Sequence, residues 1–119
     1  MLTGRGADII IIDDPLKADE ARSDPRREAV NTWYDNTLRS RLNSLNRGAI
    51  IIVMQRLHAD DLVAHVQERE KWDVLSLAAL AEQDETYEFS TPYGKRTVGR
   101  KEGEALHPEC MSAAELLAQ

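Results

Sequence analysis

The sequence predicts an α/β fold: a parallel sheet core followed by a C-terminal β-hairpin appendage. Two short runs of consecutive β-branched residues, "DIIII" and "AIIIV", read as buried strands, and an amphipathic helix-length stretch separates them. After residue 81 the chain turns polar around a Pro-Gly turn. We therefore expect two parts, residues 1–81 carrying the sheet and residues 82–119 carrying a β-hairpin and a short helix.

Asp8 to Ile12 reads as a strand buried on both faces, and Pro15 stops it. Leu16 to Ser23 is polar and reads as a loop. In "DPRREAVNTWYDNTLRSRLNSL", Asp24 is the expected N-cap and Pro25 the first helical residue. Val30, Trp33, Tyr34, Leu38, Leu42 and Leu45 then recur three or four apart, as one helix face packed on a sheet requires. Asn46-Arg47-Gly48 ends this helix, and "AIIIVM" repeats the buried-strand signature. Strand, helix, strand of these lengths are the parts of a right-handed parallel crossover. Ala59 to Lys71 reads as a second helix with Leu62, Val63 and Val66 inward, and "WDVLSLAAL" as a third strand. "YEFS" and "KRTVGR" flank "TPYG" as a hairpin would, and "SAAELLAQ" reads as a short helix.

A chain of 119 residues suits one small domain with a trailing appendage. Its net charge of −6 opposes non-specific attraction to nucleic acid, although Arg22, Arg26, Arg27, Arg39, Arg41 and Arg47 crowd one segment. A second basic group, Lys95, Arg96, Arg100 and Lys101, lies near the hairpin. The lone Cys110 has no second cysteine for a disulfide or a zinc site, and no apolar run approaches the ~20 residues of a membrane span. The N-terminus lacks a charged-then-apolar signal pattern, so the expected location is the cytoplasm.

Chemistry in open parallel sheets collects at the carboxyl ends of strands. Asp13-Asp14 follows the first strand, and "QRLHADDL", Gln55 to Leu62, follows the second. If the strands are parallel neighbours, Asp13, Asp14, Gln55, Arg56 and His58 converge. Four apolar residues and then two acids form the pattern of a Walker B segment, where one carboxylate beside a hydrated magnesium suffices and the next acid can act on an attacking water. Apolar runs ending in Asp-Asp also occur as caps and turns.

The combination of Gly4-Arg5-Gly6, Asp13-Asp14-Pro15, Trp33-Tyr34 and Arg56-Leu57-His58-Ala59-Asp60-Asp61-Leu62 resembles the large terminase subunit of tailed bacteriophages and prophages, the ATPase motor of DNA packaging. The likeness runs from about Leu2 to Ala81, and "EALHPE" resembles the family's segment after the ATPase core. It implies a P-loop NTPase-like (ASCE) fold, here truncated before the Walker B strand, in a bacterial host cytoplasm. Asp13 would serve magnesium and the bound ATP; Asp14, where such ATPases more often carry Glu, would be the catalytic acid. Gln55 and Arg56 would complete the catalytic set, Gln55 at the position that senses the γ-phosphate. His58, Asp60 and Asp61 would belong to the coupling motif. The family's partners are the small terminase subunit, the portal and double-stranded DNA.

No G-x-x-x-x-G-K-[ST] occurs in the sequence, so the phosphate cradle is expected from a separate P-loop half, and this chain alone is expected to be inactive. An uncovered parallel edge would also favour self-association into a homo-oligomer. Two further readings stay open: a non-catalytic interaction module or prophage remnant, and a small metal-dependent hydrolase using Asp13, Asp14 and His58. Asp60 and Asp61 also suit helix capping, Trp33 and Tyr34 suit a core, and His65 lies one turn from Asp61 without a third ligand spaced to complete a metal site.

Overall fold

The computed structural model describes residues 5–119, so Leu2 and Gly4 of the resemblance lie outside the described residues. It is a mixed α/β structure with a two-stranded parallel sheet and an antiparallel hairpin. The chain divides into two units after Trp72, and residues 73–81 go with the second.

In the first unit, β1 (Ile9–Asp13) pairs in parallel with β2 (Ala49–Val53), Ile9 opposite Ala49 and Asp13 opposite Val53. The crossover between them holds α1 (Asp24–Trp33). Successive strand side chains point to opposite faces. Ile10 and Ile12 are 4% and 5% exposed and enter a core with Tyr34, Leu38, Leu62 and Val66, whereas Ile9 and Ile11 are 61% and 66% exposed. The expectation of a strand buried on both faces is thus corrected. Helices cover one face only; Ile51 and Val53 of β2 share the open side.

Ser23, not Asp24, occupies the N-cap position of α1, with Pro25 in the first turn. Arg27 is buried there and donates to the carbonyl of Ala21 at 2.6 Å and to the Asp24 carboxylate, which ties the loop after β1 to the helix. The long helix expected up to Leu45 is broken into three geometries: α1, a π turn over Tyr34–Leu38 and a 3-10 turn over Arg39–Arg41. A π turn inserts one residue and so rotates the downstream side chains by about 100° around the helix axis. Tyr34 and Leu38 remain buried; the helical run ends at Arg41, so Leu45 falls in a turn and is exposed.

Beyond the 3-10 turn the chain returns to β1. The N–H of Ala7 donates to Arg41 O at 2.8 Å and Asn43 N–H donates to Ala7 O at 2.9 Å, a single parallel bridge on the edge opposite β2. A Cβ on Gly6 would run into the Asn43 side chain, which would have to move to admit it. The second helix, α2 (Leu62–Arg69), starts three residues later than expected, with Asp61 as its N-cap.

The second unit contains no strand over "WDVLSLAAL": residues 73–79 have no regular structure, and only Leu80 makes a bridge, to Ala105. Alternating apolar residues are not enough without a neighbouring strand, and Val74, Leu75 and Leu77 are exposed. The hairpin is present as β3 (Glu85–Thr91) and β4 (Gly94–Arg100), antiparallel, with Gly94 at φ +114° after the turn. Arg100 closes its open end with Nη2 2.7 Å from the Glu85 carboxylate and Nη1 2.9 Å from Ala78 O. Glu102 N–H and Lys101 Nζ hold the Asp84 carboxyl below the usual carboxylate range. The last element, α3 (Ala113–Leu117), begins with a reciprocal capping box between Ser112 and Glu115.

Candidate functional site

Parallel pairing puts the carboxyl ends of β1 and β2 side by side, so Asp13-Asp14 and the segment after Val53 leave the sheet at the same end. Asp13 continues the open face of Ile9 and Ile11 and is exposed. Asp14 extends the ladder by one bond, its N–H donating to Val53 O at 2.9 Å, and turns the chain at φ +43°. That left-handed conformation disfavours most side chains but is tolerated by aspartate. Among the described residues neither carboxylate has a hydrogen-bond partner. Both are free to accept from water or a ligand.

Gln55 and Arg56, two and three residues past Val53, are exposed. Arg56 is held: its Nε lies 2.6 Å from Oδ2 of Asp61. Asp61 is 2% exposed, and its Oδ1 accepts the Ala64 N–H at 3.0 Å. One carboxylate therefore caps α2 and anchors Arg56. His58 Nδ1 accepts the Asp60 N–H at 3.0 Å, which folds the turn before α2. The Asp60 carboxylate itself is exposed.

His65 does not join Asp61. Its Nε2 lies 2.9 Å from Oδ2 of Asp35, and Arg69 Nη1 reaches the same oxygen at 2.7 Å. His65 and Arg69 are one turn apart on α2, so one carboxylate from the π turn receives both. Arg39 pairs with Glu70 beside it. Sequence reading missed Asp35, because its partners lie thirty residues on; the four-residue spacing of His65 and Arg69 was the available signal.

Also missed was a groove of about 500 Å³ beside Asp13, walled by the loop after β1 and by α1. Its floor includes Ile12, Val30, Trp33 and Leu38, and Glu20 and Arg26 stand with Asp13 among its polar residues.

Among the described residues no three His, Cys, Asp or Glu side chains converge, so Asp13, Asp14 and His58 do not form a self-contained metal centre. An exposed strand-end carboxylate with no other partner nonetheless fits a hydrated magnesium whose remaining ligands are water and phosphate. Asp13 is the residue that would hold it.

No family model matches the chain, and neither a curated protein nor a solved structure matches it significantly. Among the described residues no helix is long and apolar enough to cross a membrane.

Proposed function

We propose that this chain is the Walker B and coupling half of a terminase-like, DNA-packaging ATPase with a P-loop NTPase-like core, working in a bacterial host cytoplasm. The observation that carries the reading is the parallel register of Asp13 with Val53, which sets two unpartnered carboxylates beside the segment of Gln55 to Asp61. In this reading Asp13 would hold a hydrated magnesium ion bound to ATP, Asp14 would orient the attacking water, and Gln55 would donate to the γ-phosphate. Arg56, anchored by Asp61, transmits a shift of the strand end into α2. His58 and Asp60 shape the turn between them.

With no phosphate-binding loop in the sequence, the phosphate grip comes from a P-loop half, and the chain alone is not a competent ATPase. The small terminase subunit, the portal and double-stranded DNA are partners of the assembled motor. A second reading, a non-catalytic interaction module, is favoured by the open isoleucine face of the sheet.

The test is paramagnetic relaxation by manganese-ATP, recorded on the amide spectrum of the 119-residue chain and of Asp13→Asn. Selective broadening at Asp13, Asp14 and Gln55, lost in the variant, is the expected result. Broadening centred elsewhere would sink the ATPase reading and leave the interaction module, whereas absent broadening at millimolar nucleotide would mean that the site needs the P-loop half.

A further inference from the structure

We propose that the end of the crossover helix, from Tyr34 onward, is a register switch held in its broken form by the C-terminal half of α2. Val30, Trp33, Tyr34, Leu38, Leu42 and Leu45 keep the spacing of one uninterrupted α-helix running from Asp24 to Leu45. The structure instead closes a wide turn and then a tight one. The Arg39 N–H donates to Tyr34 O, five residues back, and the Leu42 N–H donates to Arg39 O, three residues back. A continuous α-helix would send the Arg39 N–H to Asp35 O. The local pattern and the fold therefore specify different hydrogen bonds for the same residues, and contacts outside the helix select between them.

The selecting contacts come chiefly from α2. Asp35 and Arg39, four residues apart in the wide turn, both meet its C-terminal half. Asp35 Oδ2 receives His65 Nε2 at 2.9 Å and Arg69 Nη1 at 2.7 Å, and Arg39 pairs with Glu70. Ala7 then takes Arg41 O and the Asn43 N–H, groups that a longer helix would use for itself. The broken form also leaves polar atoms unsatisfied. Among the described residues the buried side-chain atoms without a partner are Asn31 Oδ1, Tyr34 Oη, Arg41 Nε and Trp72 Nε1. Three belong to this helix and its tight turn, and the fourth lies just past α2, so the broken register carries a cost that its contacts with α2 offset. Releasing α2 closes the α-helix and returns Leu45 to the apolar stripe. Because α2 starts at Asp61, which also holds Arg56, movement at the end of β2 reaches the crossover through this helix. The switch is independent of nucleotide binding.

The experiment measures scalar couplings across hydrogen bonds by NMR, on the full chain and on the variant His65→Ala/Arg69→Ala/Glu70→Ala, which removes the α2 contacts and leaves the switching residues intact. In the unaltered chain the Arg39 nitrogen should couple to the Tyr34 carbonyl carbon. In the variant that coupling should move to the Asp35 carbonyl carbon, and the Leu45 nitrogen should couple to Arg41. A second variant, Asn36→Ala/Ser40→Ala, keeps the α2 contacts and raises helix propensity at two exposed positions; it should show the same move in part. The second variant decides the matter if the first does not fold. An unchanged Tyr34 coupling in the variants overturns the proposal, as does an Asp35 coupling in the unaltered chain. Loss of helical carbon shifts over residues 34–41, with those of β1 and β2 kept, also overturns it, because α2 would then prop up one form and not select between two.

Discussion

The Asp61 carboxylate joins two structures with its two oxygens: one caps α2 at the Ala64 N–H, the other holds Arg56 Nε at 2.6 Å. The residue is buried while Arg56 is half exposed, so the capping bond is the better shielded of the two. Losing an N-cap acceptor costs about 0.5–2 kcal/mol, and the charge-assisted bond to half-exposed Arg56 adds a smaller, solvent-screened share. Asp61→Ala should therefore lower unfolding stability by about 1–3 kcal/mol. Asp61→Asn, which keeps an acceptor for Ala64, should lose less. Urea midpoints of the two variants check the order, and equal losses would count against the cap.

The alternation along β1 can be tested by mutating its two faces. Ile10→Ala and Ile12→Ala remove buried methylene groups and should each cost about 2–5 kcal/mol. Ile9→Thr and Ile11→Thr act on the open face and should cost under about 0.5 kcal/mol, with improved solubility as a second readout. Large losses at all four positions would mean that the open face is covered in solution.

At the strand end, Asp14 carries the positive φ of +43°. Asp14→Gly removes the Cβ conflict and should be neutral or stabilising, whereas Asp14→Val should cost about 1–2 kcal/mol. Melting temperatures separate them. In the ATPase reading both variants lose the catalytic acid, so stability and nucleotide effects diverge at this position.

Tyr34 is buried in the core, and among the described residues its hydroxyl has no hydrogen-bond partner. Burial first, and then the Glu70 carboxylate, push its phenol above the ordinary value of 10, with Arg39 opposing. The folded chain holds this proton more tightly than the unfolded one. Its contribution is thus intact below about pH 10 and is lost as pH rises through the raised value. Tyr34→Phe should gain about 1 kcal/mol at neutral pH by removing an unsatisfied buried hydroxyl, and should flatten the alkaline loss. Unfolding curves at about pH 7 and above about pH 10 measure both effects.

Much of the local structure was legible because its causes are local. Pro25 opens a helix whatever lies around it, the Ser112 and Glu115 spacing closes a capping box, and the Pro-Gly turn brings Glu85 opposite Arg100. The run of isoleucines also determined that β1 would be a strand and that Asp13-Asp14 would stand at its end. The tertiary structure decided which neighbours each face met. Ile10 and Ile12 are buried and Ile9 and Ile11 are not because helices cover one side of the sheet, a fact that four identical residues cannot encode. The end of the helical run at Arg41 that leaves Leu45 in a turn, the Asp35 site for His65 and Arg69, and the failure of "WDVLSLAAL" to find a strand partner have the same origin. Strand and helix type follow from the period of the chain, but burial and ion pairing depend on contacts between residues distant in sequence, which only packing supplies.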